Sequence, residues 1–251
     1  MKSYTFILLI IFLNCVNGVK AEELVIGYFD LAPHIAFNKQ TNKTEGILPD
    51  FLQNHIAPTM GVTFKFIHMP LARVLRSMKA GKIDGGALFG YTMARAEIYD
   101  YPINNFYNMQ SVLVVRKNNM LNKIVSIDDI KDMRIGYVTA ALITPIMKSK
   151  QIKMELMSGT NPWNRRLQML MSDRLDAVYS PAKANLVYEA NKLGATNDIK
   201  ILSLPEKPSK MFTLFSKASK TSNLPHRYDK AFKKVDGDKL YKAMLLKHIV
   251  E

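Results

Sequence analysis

Cysteine is almost absent from this chain: its 251 residues include one, Cys15. Cys15 lies in an N-terminal segment where Lys2 precedes an uninterrupted apolar run over residues 6–13, the pattern of a secretion signal. Phe12-Leu13-Asn14 is a poor lipobox, so we do not expect Cys15 to be lipidated. We predict a signal peptide over residues 1–21, and its removal leaves no thiol for disulfides, cysteine nucleophiles or thiolate metal sites.

Long hydrophobic runs and clustered metal ligands are also missing. After the short N-terminal run, no stretch reaches the roughly 20 apolar residues that a transmembrane helix needs. The five histidines are scattered without metal-ligand spacing. The 15 methionines fall on predicted strand and helix faces, where thioethers are ordinary core filling rather than a copper site. We therefore expect an exported protein that does not span the membrane and carries no metal and no cofactor.

Acidic side chains are scarce relative to basic ones. Lys and Arg number 35 against 21 Asp and Glu, and the net charge is +14 at pH 7. Such a surface aids solubility, or it attracts anionic lipid or an acidic solute. The chain has neither a basic run nor a basic motif interleaved with aromatic residues, so nucleic acid is not an expected partner.

Short β-branched runs alternate with segments of helical periodicity, which predicts an α/β protein. The predicted strands cover residues 24–29, 62–68, 83–89, 111–115, 134–138, 153–157 and 175–179, and the predicted helices cover 50–60, 71–80, 142–150, 163–171 and 182–193. These elements form two similar blocks, which implies two lobes.

Two isolated apolar strands, residues 111–116 and 211–217, bracket the second block and are expected to be the crossings between the lobes. The helical tail, residues 224–249, then returns to the first lobe. We predict lobe 1 over residues 22–112 plus 216–251, and lobe 2 over 113–215. The expected hinge is this pair of crossing strands.

Several short motifs follow one another along the whole chain after the predicted signal peptide. They are Ile26-Gly27-Tyr28, Ala32-Pro33, Glu45 to Asp50 (EGILPD), Pro70 to Arg73 (PLAR), Gly81 to Asp84 (GKID), Thr92 to Arg95 (TMAR), Ser126 to Ile130 (SIDDI), Ile135 to Val138 (IGYV) and Arg174 to Val178 (RLDAV). In order and spacing, the sequence resembles family 3 of the bacterial extracellular solute-binding proteins, the periplasmic receptors that deliver amino acids to ABC importers. The resemblance implies a two-lobed periplasmic-binding-protein fold that closes around a small ligand.

The resemblance assigns Arg95 to the ligand carboxylate, because a guanidinium presents two parallel donors that match two carboxylate oxygens. The alternative is a surface arginine paired with Glu97. Thr92 is carried over with Arg95 as a hydroxyl donor.

The remaining predicted ligand-binding residues come from both lobes. Tyr28 and His34 are implied as an aromatic wall, while Phe89, Gly90 and Tyr91 should border the crevice and Ala141 should meet the ligand from the second lobe. Trp163 is either a lid over the ligand or a half-buried residue at a helix start. Arg165 or Arg166 offers a second anion contact or lies on a solvated face. Asp84 and Asp176 are interpreted as structural.

One position departs from the pattern of amino-acid receptors. Members of the family that hold an α-amino group usually carry an aspartate where this chain has Pro181. An α-amino group would therefore need another carboxylate or an aromatic face.

The predicted function is capture of a small carboxylate-bearing solute, an amino acid or a relative, by a monomeric periplasmic protein that serves an inner-membrane ABC permease. One alternative is a periplasmic ligand sensor that docks to a signalling partner. The other is a dehydratase-like enzyme, for which His34 and Glu97 are weak candidates for the general acid. Because no stronger candidate is present, no catalytic residue is predicted.

Overall fold

The computed structural model describes residues 21–157 and 162–250, together with their side chains except those of 162 and 248–250. The predicted signal peptide, apart from Ala21, lies outside the described residues. The strands are β1 (Glu22–Tyr28), β2 (Ala36–Asn38), β3 (Lys43–Glu45), β4 (Val62–His68), β5 (Gly85–Gly90), β6 (Tyr99–Asp100), β7 (Tyr107–Met109), β8 (Val112–Arg116), β9 (Arg134–Val138), β10 (Lys153–Met157), β11 (Ala177–Ser180), β12 (Ile199–Ser203) and β13 (Ser209–Ser216).

The α-helices are α1 (Ile47–Asp50), α2 (Ala57–Met60), α3 (Leu71–Lys79), α4 (Met93–Ile98), α5 (Pro162–Met171), α6 (Lys183–Lys192), α7 (Leu224–Lys234) and α8 (Gly237–Val250). A π-helical segment, Phe51–Ile56, joins α1 to α2. Pro58 lacks the N–H that an α-helical turn would use at this point, which accounts for the wider turn before it. Among the described helices, none is long and apolar enough to cross a membrane.

The first lobe is built on a sheet with the strand order β4-β1-β5-β13-β6, and β7 also pairs with β13. Strands β4 and β5 run parallel to β1, whereas β13 runs antiparallel to β5. All six residues of β5 are buried, as expected for a strand covered on both faces.

The second lobe repeats this arrangement with the order β10-β9-β11-β8-β12. Strands β10 and β11 run parallel to β9, and β8 runs antiparallel to β11. The fold is therefore a two-lobed α/β architecture, and the predicted fold class is confirmed.

The chain crosses between the sheets twice, and the two crossings lie side by side. Strand β7 is followed by β8 of the other sheet, while β12 is followed by β13, and Leu204 N–H donates to Ser111 O (3.1 Å) between them. All pairings of β13 are with the first sheet. The second sheet thus ends at Ser203, earlier than the predicted boundary at residue 215, because an apolar strand beside a crossing does not reveal which sheet it joins.

In each sheet, an aspartate just before the third parallel strand, β5 or β11, accepts hydrogen bonds from the central strand, β1 or β9. Asp84 accepts from Val25 N–H (2.8 Å), and Asp176 accepts from Arg134 N–H (2.8 Å) and from its guanidinium. Both carboxylates bond to the neighbouring strand within their own lobe. They are structural, as the sequence indicated.

Candidate functional site

The facing ends of the two sheets meet in a closed crevice. What remains of it is a cavity of about 20 Å³, the space of roughly one water molecule. It is lined by Phe29, Leu31, Leu71, Leu88, Phe89, Gly90, Arg95 and Met109 before the first crossing, by Ala141, Leu142, Trp163 and Pro181 of the second lobe, and by Met211 on β13. Arg95 is the charged side chain of this lining.

Arg95 is held in place by the start of α4. This helix begins after Thr92, whose hydroxyl oxygen accepts from Arg95 N–H (3.1 Å) as an N-cap. The guanidinium donates through Nη1 to Gly90 O (3.0 Å) and through Nη2 to Ala140 O (2.9 Å). Because Ala140 belongs to the second lobe, Arg95 bridges the crevice.

The charge of Arg95 lacks an acidic partner among the described residues, where no ion pair includes it. Burial lowers the pKa of Arg95, and the nearby Tyr101 and Tyr137 counteract part of this effect. The predicted alternative, pairing with Glu97, is not formed. A buried cation with neutral hydrogen-bond partners is a good site for an anion, because a carboxylate would supply both hydrogen bonds and opposite charge.

Trp163 closes the crevice from the second lobe. It lies in the first turn of α5, is 1 % exposed, and donates from Nε1 to Asp30 O of the first lobe (2.8 Å). The Arg166 guanidinium lies 4.2 Å from the centre of its ring. Arg166 is fully buried and donates to Gly136 O (3.2 Å) and Tyr179 O (2.9 Å), and burial lowers its pKa to about 9. Trp163 is more deeply buried than a half-buried residue, and its role as a lid over a ligand stays a prediction.

A third donor, Asn185 on α6, gives its side-chain amide N–H to Ala32 O of the first lobe (3.0 Å). In the described part of the chain, Arg95, Trp163 and Asn185 thus each place a side-chain N–H on a backbone carbonyl of the opposite lobe. All three bonds depend on the closed arrangement of the lobes.

Leu142 is a site residue that the sequence did not reveal. A Cβ added at Gly90 would lie only 2.5 Å from Leu142 Cδ2, so this leucine packs directly on the backbone of Gly90. Two residues before it, Ala140 has a left-handed backbone (φ 65°), and Leu142 itself begins the segment predicted as a helix over residues 142–150. The helix prediction is wrong, because only a short 3₁₀ turn, Ile146–Lys148, forms there. Residues 140–144 are small or branched, and such a run does not indicate from the sequence that one of its side chains fills the crevice.

The predicted site residues divide into two groups. Phe89, Gly90, Arg95, Ala141 and Trp163 come together around the cavity, whereas Tyr28, His34, Tyr91 and Thr92 are not part of its lining. Tyr91 is 53 % exposed and packs against Tyr101, with 5.0 Å between ring centroids.

Tyr28 and His34 are buried in the first lobe. Tyr28 OH shares a hydrogen bond with Thr44 Oγ1 (2.9 Å). His34 Nδ1 shares one with Tyr241 OH (2.8 Å), and its ring lies 4.8 Å from that of Tyr107. Burial lowers the pKa of His34 to about 3, so its imidazole is neutral at physiological pH.

Comparison with known proteins gives a matching family model and solved structures with the same fold. The model of the bacterial extracellular solute-binding proteins, family 3, matches residues 24–250. A search of curated proteins found no match.

Solved structures of the same fold cover nearly the whole chain. A histidine kinase sensor domain with similarity to periplasmic binding proteins matches with a TM-score of 0.77 at 15 % identity, covering 91 % of this chain and 96 % of the other. A substrate-binding protein of an amino acid ABC transporter gives 0.73 at 18 %, covering 90 % and 98 %. A periplasmic binding protein with high arginine specificity from Salmonella typhimurium gives 0.71 at 19 %, covering 90 % and 99 %. At these identities the likeness concerns the fold.

Proposed function

Because the chain belongs to family 3 of the bacterial extracellular solute-binding proteins, we propose that it captures a small carboxylate-bearing solute between its lobes in the periplasm. It acts as a monomer and passes the solute to an inner-membrane ABC permease. The observation that supports this most is Arg95, a cation on the wall of the crevice that donates to the carbonyls of Gly90 and Ala140 and has no acidic partner among the described residues.

The closed crevice must open before a solute enters, because a cavity of about 20 Å³ cannot hold even a small amino acid. Opening withdraws Ala140 and Leu142 from the first lobe and frees Nη2 of Arg95. A ligand carboxylate takes the place of the Ala140 carbonyl, and the lobes close over it. The solute shifts the equilibrium toward closure only by its differential affinity for the closed state.

Binding is favoured over catalysis by the positions of the two candidate acids. His34 is buried beside Tyr241, away from the cavity lining, and Glu97 is exposed on α4. A general acid must reach the substrate within hydrogen-bonding distance, directly or through one water. We therefore propose a receptor rather than a dehydratase.

A ligand sensor that docks to a signalling partner is the second candidate, and the sensor-domain likeness favours it. Gene deletion in cells distinguishes the two roles. Deleting a receptor gene abolishes uptake of the labelled solute, whereas deleting a sensor gene leaves uptake intact and changes the transcriptional response to it.

The ligand class can be tested by thermal shift of the purified protein with amino acids, small carboxylates and opines. A ligand at a hundred times its dissociation constant adds about 2.7 kcal/mol to the free energy of unfolding. We expect the stabilising compounds to carry a carboxylate. Stabilisation only by compounds without an anionic group would contradict the proposal.

Arg95→Ala tests the mechanism with the carboxylate that stabilises best. We expect binding to weaken by about 2 to 5 kcal/mol, because the ligand charge is left buried and unpaired. Arg95→Lys should recover part of the loss. Arg165→Ala is the matched control, since Arg165 is exposed on α5 and does not line the cavity. Calorimetry that places Arg95→Ala within threefold of the parent affinity would refute the carboxylate clamp.

A further inference from the structure

The cavity beside Arg95 has no acidic side chain in its lining, as far as the described residues go. Apart from Arg95 and Gly90, the lining consists of apolar and aromatic side chains. Asp30 is close in the sequence to lining residues but is not one of them. Its carboxylate accepts from Phe37 N–H (2.9 Å) and lies 3.1 Å from His68 Nε2. The cavity therefore combines one cation with apolar walls.

The carbonyl oxygens next to Arg95 already have hydrogen-bond donors. Gly90 O accepts from Tyr101 OH (2.9 Å) as well as from Arg95 Nη1 (3.0 Å), which occupies both of its lone pairs. A carboxylate on Arg95 would release Ala140 O from Nη2, and this is a single neutral acceptor. The ammonium of an amino acid has three donors, and one carbonyl does not replace the water that the ammonium loses.

The second lobe is equally short of acceptors for an ammonium. Ala141 O accepts from Tyr137 OH, and Leu142 O accepts from Tyr179 OH (2.9 Å). Pro181, which also lines the cavity, has an apolar side chain. The tyrosine hydroxyls thus hold the backbone of this segment and take up the carbonyls that would otherwise accept from a cationic solute.

Aromatic rings are the other partners that an ammonium could use, and two of them already have a cation. The Arg166 guanidinium lies 4.2 Å from the centre of the Trp163 ring, and the Arg95 guanidinium lies 5.5 Å from the centre of the Phe89 ring. An ammonium at either ring would lie close to a guanidinium, and like charges repel.

The contacts of the second lobe indicate which groups fit against Arg95 and Gly90. Ala140 O lies 2.9 Å from Arg95 Nη2, and the Leu142 side chain packs on the backbone of Gly90. The segment thus places an oxygen acceptor on the cation and a branched aliphatic group beside it. A short aliphatic carboxylate has both features in one molecule, and it brings a full negative charge where the chain has a carbonyl.

We propose that the solute is a short monocarboxylate with an apolar body and no ammonium group, and that the crevice discriminates against amino acids. The inference rests on the proposed function, in which Arg95 holds the carboxylate. When the lobes open, Leu142 leaves Gly90, and the alkyl group of the solute takes its place there. Specificity then comes from the cost of burying an ammonium that finds neither an acceptor nor an acid.

Three pairs of compounds that differ only in the α-ammonium test the proposal by calorimetry on the purified protein at pH 7. The pairs are 3-methylbutanoate and L-valine, 4-methylpentanoate and L-leucine, and 3-phenylpropanoate and L-phenylalanine. We expect at least one of the two aliphatic acids to bind about tenfold or more tightly than its amino acid. 4-Methylpentanamide keeps the alkyl group without the charge and should bind more weakly than 4-methylpentanoate.

The outcomes distinguish this inference from the proposed function. An amino acid that binds as tightly as its matched acid, and whose binding is lost in Arg95→Ala, would overturn the inference and leave the carboxylate proposal intact. An amide that binds as tightly as its acid would contradict the carboxylate proposal. Failure of all the acids and amino acids to bind would count against both.

A pair of tyrosine variants tests the argument from the carbonyls. Tyr101→Phe leaves Gly90 O with Arg95 as its donor and frees a lone pair, so the preference for the acid over its amino acid should fall by about fivefold. Tyr99→Phe is the matched control, because its hydroxyl donates to Leu75 O (2.8 Å), outside the cavity lining. It should leave the preference unchanged. A preference that is the same in both variants would count against the inference.

Discussion

The two lobes share one plan but bring different chemistry to the crevice. Each has a central parallel strand, β1 or β9, flanked by two parallel strands and followed across the sheet by an antiparallel one. Each uses an aspartate, Asp84 or Asp176, to bond the third parallel strand to the first. Topology therefore sets where the crevice lies, and individual side chains decide what it binds.

The difference is clear at the glycine in each central strand. A Cβ at Gly27 would meet Val74 of α3 at 3.0 Å, and one at Gly136 would meet Arg166 of α5 at 3.3 Å. The helix thus packs a valine on the strand in lobe 1. In lobe 2 it packs the methylene stem of Arg166, whose guanidinium donates to Gly136 O. The Arg166 guanidinium packs against the ring of Trp163, so the buried cation of the second lobe has a structural role. The first lobe instead places Arg95 on the wall of the cavity.

The loops that follow the third parallel strands differ as well. After β5 the chain continues to Thr92 and Arg95, whereas after β11 it continues to Pro181, which also lines the cavity. The first lobe therefore contributes the cation and the second contributes apolar walls and neutral donors. An anionic solute should bind first to lobe 1, and lobe 2 should then cover it.

Replacing the buried cation of lobe 2 is expected to have the largest effect on stability. Arg166→Ala should lower the free energy of unfolding by about 3 kcal/mol, because it leaves a cavity under Trp163 and deprives Gly136 O and Tyr179 O of their donor. Urea denaturation measures this. Val74→Ala, the equivalent change in lobe 1, loses only aliphatic volume and should cost less. Equal losses in the free energy of unfolding would mean that the two side chains contribute equally to stability, which would contradict the comparison.

The contact between the lobes can be broken at Gly90. Gly90→Ala places a Cβ against Leu142 and should disfavour the closed state by about 1 to 3 kcal/mol through overpacking. Small-angle scattering should detect a larger radius of gyration. Gly90→Ala combined with Leu142→Ala should recover the compact form, since the clash is removed. If the double variant stays open, Leu142 is not the residue that limits closure.

Much of the fold follows from local sequence pattern, and the first sheet shows why. Strand β4 was predicted with its observed bounds because Val62 to His68 alternate apolar and polar side chains, and β9 and β10 were also predicted with theirs. The alternation reports burial on one face, a local property. Strand β12 was missed because residues 199–203 lie on the edge of the second sheet, where pairing with β8 determines the conformation.

Only part of the candidate site could be predicted from the sequence, for a physical reason. Arg95 was expected beside the crevice because a short motif places it just after a strand, and its role toward a ligand stays a prediction. Asn185 and Leu142 meet the first lobe through the packing of one lobe on the other, and the sequence around them resembles ordinary helix or loop. The tail was predicted as helical and consists of two helices, α7 and α8, separated near Asp236, which has a left-handed backbone (φ 49°).

The smallest expected effect concerns the hydrogen bond of Trp163, which ties lobe 2 to lobe 1 without any charge. The indole Nε1 donates to Asp30 O only while the crevice is closed. Trp163→Phe keeps most of the apolar contact and removes this bond, which is worth about 1 kcal/mol. Closure and ligand affinity should therefore weaken by about fivefold, as measured by calorimetry.

The parent protein provides the control for Trp163. It contains one tryptophan, so its emission reports this position alone. At 1 % exposure the closed form should emit at short wavelength, and the open Gly90→Ala variant should emit at longer wavelength. Ligand added to Gly90→Ala should move the emission back as the lobes close. Unchanged emission at saturating ligand, together with unchanged affinity in Trp163→Phe, would remove Trp163 from the site and leave Arg95 and Asn185 as the side chains that join the lobes across the crevice in the described part of the chain.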